Sequence, residues 1–169
     1  MPLKALYEDA RNLSPEDFEA RLGGGFLLFT AGGAEGPKST SSTQMLLDGD
    51  EDSAGQTADL SVVVFALRQK DGSNGHLVTL GRDPQHDVVI RDVSVSRFHA
   101  CAKRDAEGVF LLLDAGSTNG TTVNGVSVPP RGAGPPAALK PGDTVRLGQV
   151  ECTFTDARSL RDFVLMAAG

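Results

Sequence analysis

The second part of the chain is built from short apolar runs separated by clusters of turn-forming residues, and this pattern limits the fold most. From residue 60 onward, runs rich in Val, Leu and Phe alternate with Gly, Asn, Asp and Pro. The predicted strands are 61–68, 76–81, 87–90, 97–103, 109–114, 121–123, 126–128, 144–147 and 150–155. Many short strands with turn signals every eight to twelve residues or so are typical of an antiparallel β-sandwich. The expected fold class is therefore all-β.

The N-terminal residues follow a different, helical pattern. Apolar residues recur at helical spacing over 3–22, and Ser14-Pro15 is a typical helix start, with Ser as the N-cap and Pro in the first turn. Three glycines at 23–25 end this helical region. The short apolar run Phe26–Phe29 could add one further strand.

Composition divides the rest of the chain. Residues 31–59 are rich in Gly, Ser, Thr and acidic side chains, which is typical of a flexible linker or long loop. The predicted organisation is an N-terminal helical extension over 1–30, the acidic linker or loop over 31–59, the sandwich over 60–156 and a C-terminal helix over 157–169. Asp156 is the expected cap of that last helix, and its predicted apolar stripe is Leu160, Phe163, Val164 and Met166.

The acidic charge is concentrated in the first third of the chain. Residues 1–60 contain four basic and eleven acidic side chains, a net charge of −7 against −6 for the whole chain. The second part is therefore nearly neutral, whereas a general nucleic-acid binder needs a strongly basic face. The aromatic content of 5%, without Trp, also argues against stacking platforms for single strands. We expect no nucleic-acid partner.

The cysteines and the hydropathy pattern limit the remaining classes. Cys101 and Cys152 each lie in an apolar, strand-like run, which favours buried free thiols over a disulfide. Their spacing fits no zinc motif, and no metal or cofactor is expected. No stretch approaches the ~20 apolar residues of a membrane span, and the N-terminus lacks the apolar core of a signal peptide. The expected location is the cytoplasm, without membrane contact.

Four polar signals fall where predicted strands end or begin. They are Gly81-Arg82, the run from Ser94 to His99, the turn Ser117 to Gly120, and Asn124-Gly125. Loops of a sandwich cluster at its ends, so residues far apart in sequence can converge there. An Arg guanidinium is a permanent, planar fork of donors, and Ser and Thr add hydroxyl donors. These residue types suit a phosphate group, which carries roughly −1.5 to −2 charge and three acceptor oxygens.

The order of these motifs resembles the forkhead-associated (FHA) domain, a phosphothreonine-binding module. The family signature of Gly-Arg, Ser-x-x-His and Asn-Gly reads here as G81-R82, S96-R97-F98-H99 and N119-G120. The second pair, N124-G125, and the later run LKPGDTVRLG over 139–148 also fit the family. The resemblance covers about residues 60–156 and implies a β-sandwich that binds phosphothreonine peptides and is not an enzyme.

The resemblance also implies a role for each matching residue. The phosphate-binding set is Arg82, Ser96, Arg97 and Thr118, and Arg97 could instead be a solvated strand residue. Asn119 is expected to bind the main chain of the peptide beside the phosphothreonine. The residues expected to support the site are Gly81, His99, Gly120 and Asn124. The residues expected to contribute to selectivity are Ser94 and Val95.

Two other functional classes remain to be compared with this one. A sandwich that binds a partner without regard to phosphate is the stronger alternative. A hydrolase with Ser96, His99 and Asp114 as a triad is disfavoured, because residues three apart on one strand point to opposite faces and no Gly-x-Ser-x-Gly surrounds the serine. The expected partner is a phosphothreonine-containing protein, either a Ser/Thr kinase or a substrate of one.

The acidic segment suggests self-association. Thr40, Thr43 and Thr57 lie in it, and Thr43 has Leu46 three positions later, where this family often reads its ligand. Phosphorylated Thr43 could dock on the site of its own chain or of a neighbour. The alternative is a solvated spacer whose threonines are incidental.

Overall fold

The computed structural model describes residues 3–30, 62–70 and 77–167, so the predicted linker lies outside the described residues. The described residues form three helices: α1 (Leu3–Asn12), α2 (Pro15–Leu22) and α3 (Ala157–Ala167). The strands are β1 (Gly25–Thr30), β2 (Val62–Ala66), β3 (Leu77–Gly81), β4 (Val88–Val89), β5 (Ala100–Arg104), β6 (Phe110–Asp114), β7 (Thr121–Val123), β8 (Val126–Ser127), β9 (Ala137–Leu139), β10 (Thr144–Leu147) and β11 (Val150–Asp156).

The strands form two sheets, which confirms the all-β sandwich expected from the sequence. A six-stranded sheet has the order β2-β1-β11-β10-β7-β8, and a five-stranded sheet has the order β4-β3-β5-β6-β9. The pairings are antiparallel apart from β3 with β4, which is parallel. The predicted strand 97–103 starts later, at Ala100, because residues 97–99 belong to a loop. Strand β9 was missed, since its three residues follow Pro135-Pro136 and include no β-branched or aromatic side chain.

The main hydrophobic core lies between the two sheets. In β6, for example, alternate residues enter this core, so Phe110 and Leu112 are buried while Leu111 is half-buried. The rings of Phe110 and Phe154 meet there with centroids 5.6 Å apart. Both cysteine thiols are free and buried.

A layer of three helices covers the outer face of the six-stranded sheet. A second core joins helix residues, among them Leu6, Phe18 and Leu160, to Phe26 and Val64 of the sheet. The helical region predicted over 3–22 forms two helices, and α2 starts at the predicted N-cap, where the Ser14 hydroxyl accepts a 3.1 Å hydrogen bond from the Asp17 amide.

Helix α3 starts at the predicted cap but buries fewer residues than expected. The Asp156 carboxylate accepts a 2.7 Å hydrogen bond from the Ser159 amide. Leu160 and Val164 are fully buried, whereas Phe163 is 41% and Met166 82% exposed. The last two therefore lie outside the apolar stripe, since α3 contacts the sheet and the other helices along a narrower face.

Strand β1 lies inside the six-stranded sheet, between β2 and β11. The sequence assigned residues 1–30 to a helical extension and left Phe26–Phe29 as a further strand, whereas the sheet takes in all of Gly25–Thr30. Its register pairs Gly25 with Asp156 and Thr30 with Val62. The sandwich therefore begins well before residue 60. Among the described residues, no helix is long and apolar enough to cross a membrane.

Candidate functional site at one end of the sandwich

Four loops meet at one end of the two sheets, which we call the rim. They are the segments 82–87 after β3, 91–99 before β5, 115–120 between β6 and β7, and the turn Gly148-Gln149 between β10 and β11. Main-chain and side-chain hydrogen bonds join these loops to one another. The rim therefore holds the predicted phosphate-binding residues as one connected group.

Gly81 ends β3 where the chain passes very close to the loop that carries Arg97. A Cβ at this position would lie 2.0 Å from the Arg97 carbonyl oxygen and 2.6 Å from Cδ2 of His86. The absence of a side chain lets the Arg82 amide donate to the Ser96 carbonyl at 3.0 Å and the Asp83 amide to the Arg97 carbonyl at 3.3 Å. Gly81 thus holds Arg82 beside Ser96 and Arg97.

Arg82 and Arg97 give the rim its positive charge. Within the described part of the chain, neither guanidinium forms an ion pair or a hydrogen bond. Arg82 is half-buried, whereas Arg97 is exposed. Both cations are therefore available to an anion, with Arg82 the more closely held of the two.

His99 is fully buried beneath the rim and connects two loops. The Ser96 amide donates to His99 Nδ1 at 2.9 Å, so the ring proton lies on Nε2, which donates to the Gly120 carbonyl at 3.0 Å. Burial lowers the pKa of His99, and the bond to Gly120 and the charge of Asp114 offset this only in part. The neutral ring therefore fixes the position of Ser96.

This bonding pattern is incompatible with the hydrolase alternative. Both His99 nitrogens are bonded to main-chain groups, so neither accepts a proton from the Ser96 hydroxyl. The Asp114 carboxylate is bonded to Ser117 and Thr121, with no hydrogen bond to the imidazole. No triad forms, because a general base must reach the proton that it takes.

Thr118 lies at the tip of its loop, directly opposite Ser96. The Thr118 amide donates to Ser96 Oγ at 3.0 Å, and the Thr118 side chain is exposed. Since this bond uses the Ser96 oxygen as an acceptor, the hydroxyl proton of Ser96 remains free to donate. Two hydroxyls and Arg82 therefore lie on neighbouring loops at the rim.

Asp114 anchors the loop that carries Thr118. Its buried carboxylate accepts bonds from the amides of Gly116 and Ser117 at 2.8 and 2.9 Å and from the hydroxyls of Ser117 and Thr121 at 2.5 and 2.6 Å. Burial raises the pKa of Asp114, but the bonds from Ser117 and Thr121 outweigh it and leave the pKa below its ordinary value. The signal for this anchor was present in the sequence, as Asp followed by Gly, Ser and Thr favours local side-chain turns.

Asn119 is held by the neighbouring loop. Its Nδ2 donates to the Ser94 carbonyl at 2.8 Å, which leaves the amide oxygen and the second amide proton for another partner. The Asn119 side chain therefore connects two rim loops and presents a donor and an acceptor outward. This geometry suits main-chain binding, and that role stays a prediction.

Ser94 and Val95 lie inside the loop rather than on its surface. Ser94 is 8% and Val95 1% exposed, because the Ser94 hydroxyl binds Asp92 and accepts the Gln149 amide while Val95 enters the main core. Neither side chain is placed to touch a peptide, in contrast to the selectivity role expected for them. Val93 in the same loop is 90% exposed, and no sequence motif had pointed to it.

The two Asn-Gly pairs serve different ends of the sheet. Asn124 has φ 51° and Gly125 φ 80°, the conformation of a tight two-residue hairpin between β7 and β8. Asn124 accepts the Thr144 amide at 2.9 Å and donates to Asp143 at 3.0 Å. Since β7 runs away from the rim, Asn124 supports the far end of the hairpin and touches no rim loop.

The comparisons with known proteins agree on one domain family. The family model for the FHA domain matches residues 78–148. An oxoglutarate dehydrogenase inhibitor of Corynebacterium diphtheriae is 40% identical over 78 residues, which are 46% of this chain and 50% of that protein. The glycogen accumulation regulator GarA of Mycolicibacterium smegmatis is 39% identical over 74 residues, 44% of this chain and 42% of that one.

A solved structure supports the same assignment of the fold. The FHA domain of a Chlamydia trachomatis protein is 25% identical, with a TM-score of 0.50, and the match covers 78% of this chain and 97% of that one. The chain spans half or less of the length of the curated relatives that it matches.

Proposed function

Because residues 78–148 match the family model for the FHA domain, we propose that the rim site binds phosphothreonine in a partner protein. The observation that carries this proposal is the convergence of Arg82, Ser96 and Thr118 on neighbouring loops, with the Arg82 guanidinium unpaired within the described residues. A phosphate dianion needs a permanent cation and several fixed donors, and these three side chains supply them.

The expected strength of binding suits a reversible switch. Each charge-assisted hydrogen bond contributes roughly 1.5–3 kcal/mol net. Three or four such bonds, less the cost of ordering a peptide, come to about −8 kcal/mol, which corresponds to a micromolar dissociation constant. We place the protein in the cytoplasm as a binding module, without catalysis, and its partner among Ser/Thr kinases or their substrates.

A peptide library with one fixed phosphothreonine, compared with the same library carrying plain threonine, tests the proposal. We expect selective retention of phosphorylated members and a micromolar dissociation constant for the best of them. Equal retention of both libraries would favour the phosphate-independent sandwich instead. Orientation of the library around the phosphothreonine also tests whether exposed Val93 selects an apolar residue in the peptide.

Self-association is a further part of the proposal. Thr43 lies outside the described residues, but the described residues on either side, Thr30 and Val62, pair with each other toward the Gly148-Gln149 end of the sheet. Three strand spacings, about 14 Å, separate β1 from β7. A coil of 13 residues, the separation of Thr43 from Thr30, would span about 20 Å.

The phosphorylated Thr43 side chain would then reach its own rim site. Protein phosphorylated at Thr43 alone is compared with the variant Thr43→Ala for binding of an external phosphothreonine peptide. We expect weaker binding by the phosphorylated form, by competition. Equal binding by both, with the phosphorylated form monomeric, would identify the segment as a spacer.

A further inference from the structure

The turn Gly148-Gln149 touches two of the loops that carry the proposed phosphothreonine site. It joins β10 to β11, whose residues Leu147 and Val150 are paired. The Gly148 amide donates to the Gly120 carbonyl at 3.0 Å, and the Gln149 amide donates to Ser94 Oγ at 2.9 Å. One two-residue turn therefore bonds to the loop of Asn119 and to the loop of Ser96.

Gly148 also lies too close to Ser94 to carry a side chain without a shift. A Cβ on Gly148 would lie 2.3 Å from the Ser94 carbonyl oxygen, 2.8 Å from its carbon and 2.9 Å from its Oγ. Two of these three atoms belong to the main chain, so they cannot give way by a change of rotamer. Any side chain at position 148 therefore pushes the Ser94 segment away.

The displaced carbonyl is the one that Asn119 binds. Asn119 Nδ2 donates to the Ser94 oxygen at 2.8 Å, and Ser96 follows two residues later. A shift of Ser94 therefore weakens the hold on Asn119 and moves the hydroxyl of Ser96 relative to Thr118. Both effects act on groups proposed to bind the ligand.

We infer that Gly148 is a positioning residue of the rim site, although it contacts no ligand group itself. Its missing side chain sets how closely the Ser94 carbonyl approaches the turn, and Ser94 in turn sets the orientation of the Asn119 amide. This inference rests on the proposed binding of phosphothreonine. It predicts that the affinity for a phosphopeptide depends on a residue outside the four sequence signals.

Other glycines provide matched controls. Gly125 and Gly142 have φ angles of 80° and 94°, so alanine there meets comparable backbone strain to that at Gly148, whose φ is 62°. A Cβ at either control position would meet no atom within 4 Å. Both lie away from the rim, Gly125 in the β7–β8 turn and Gly142 before β10. Gly125→Ala and Gly142→Ala therefore measure the cost of strain alone.

The test measures the dissociation constant for the best phosphothreonine peptide of the library. We expect Gly148→Ala to weaken binding by about tenfold or more, the equivalent of about one hydrogen bond, while both control variants stay within about twofold of the parent protein. The double variant Asn119→Ala with Gly148→Ala should lose less affinity than the sum of the two single losses, because part of each loss comes from the same Asn119–Ser94 bond. Affinity unchanged in Gly148→Ala, or losses that add fully, would overturn the inference.

A ligand-free measurement separates this inference from the proposed function. The side-chain amide resonances of Asn119 should shift in Gly148→Ala and stay in place in Gly125→Ala. If the parent protein binds no phosphopeptide, the proposed function fails, and these resonances still decide whether Gly148 positions Asn119. If Gly148→Ala does not fold, Ser94→Ala, which removes the acceptor of the Gln149 amide, should shift the same resonances. Unshifted resonances in the folded variant would refute the positioning role.

Discussion

The substitution Arg82→Ala tests the proposed phosphate contact most directly. Arg82 is half-buried, and its guanidinium has no ion-pair partner among the described residues, so its charge is free for the ligand. A planar fork bonded to phosphate makes up to two charge-assisted bonds of roughly 1.5–3 kcal/mol each. Because water at the rim partly replaces these bonds, Arg82→Ala should lose about 2–5 kcal/mol of binding free energy. The dissociation constant should therefore rise by roughly 30-fold to several thousand-fold.

Isothermal titration calorimetry with one phosphothreonine peptide measures this change. The fold should survive, because the main-chain bond from the Arg82 amide to Ser96 does not need the side chain, and we expect the free energy of unfolding to change by less than about 0.5 kcal/mol. Arg158→Ala is the matched control, since it removes the same charge from an exposed position on α3.

The comparison of the two variants decides between a local and a general electrostatic effect. Arg158→Ala should leave the affinity within about twofold, because charges more than a Debye length apart are largely screened. An Arg82→Ala protein that is folded and binds the peptide within about threefold of the parent would refute the assignment of Arg82 to the phosphate.

Three further predictions concern the ligand and the fold. A phosphothreonine peptide should bind about fivefold more tightly than its phosphoserine twin, because a buried methyl group contributes about 1 kcal/mol; equal dissociation constants would contradict this. Burial lowers the pKa of His99, so the stabilisation by the neutral imidazole is complete above the unfolded pKa of 6.5 and is lost as the pH falls below that value. Urea titrations should therefore give a lower free energy of unfolding at pH 5.5 than at pH 7.5. The same pH dependence in His99→Gln would exclude His99 as its source. Asn124→Ala should lower the free energy of unfolding by about 1–3 kcal/mol, because alanine tolerates the positive φ poorly and the hydrogen bonds to Thr144 and Asp143 are lost. The affinity for the peptide should not change, and calorimetry showing weaker binding would place Asn124 in the site.

The sandwich could be predicted from the sequence because most of its strands are apolar runs bounded by turn-forming residues. Strands β7 and β10 fall at the predicted residues, since each is bounded by turn-forming residues and alternates buried with partly exposed positions. Strand β9 could not be predicted, as its three residues gain their conformation from pairing with β6 rather than from composition. The same holds for β1, whose place depends on two neighbours distant in sequence.

The site was predictable only at the level of which loops take part. The ordered motifs located Arg82, Ser96, Thr118 and Asn119 on loops that do converge. The burial of Ser94 could not be read from composition, because it depends on Asp92 and on a glycine more than 50 residues later in the chain.

The proposed binding site and the second hydrophobic core contact different parts of the six-stranded sheet. Strand β11 starts beside Gly148-Gln149, whose amides bond to the rim loops, and ends at Asp156, where α3 begins. The second core, under the three helices, rests on Phe26 and Val64, on the face of the sheet that points away from the sandwich interior. Its apolar burial stabilises β1 and β2 without contributing a side chain to the rim. The rim loops are instead held by hydrogen bonds to one another, chiefly through His99 and Asp114. Because buried hydrogen bonds depend steeply on geometry, a small displacement at the rim should alter ligand binding well before it unfolds the sandwich.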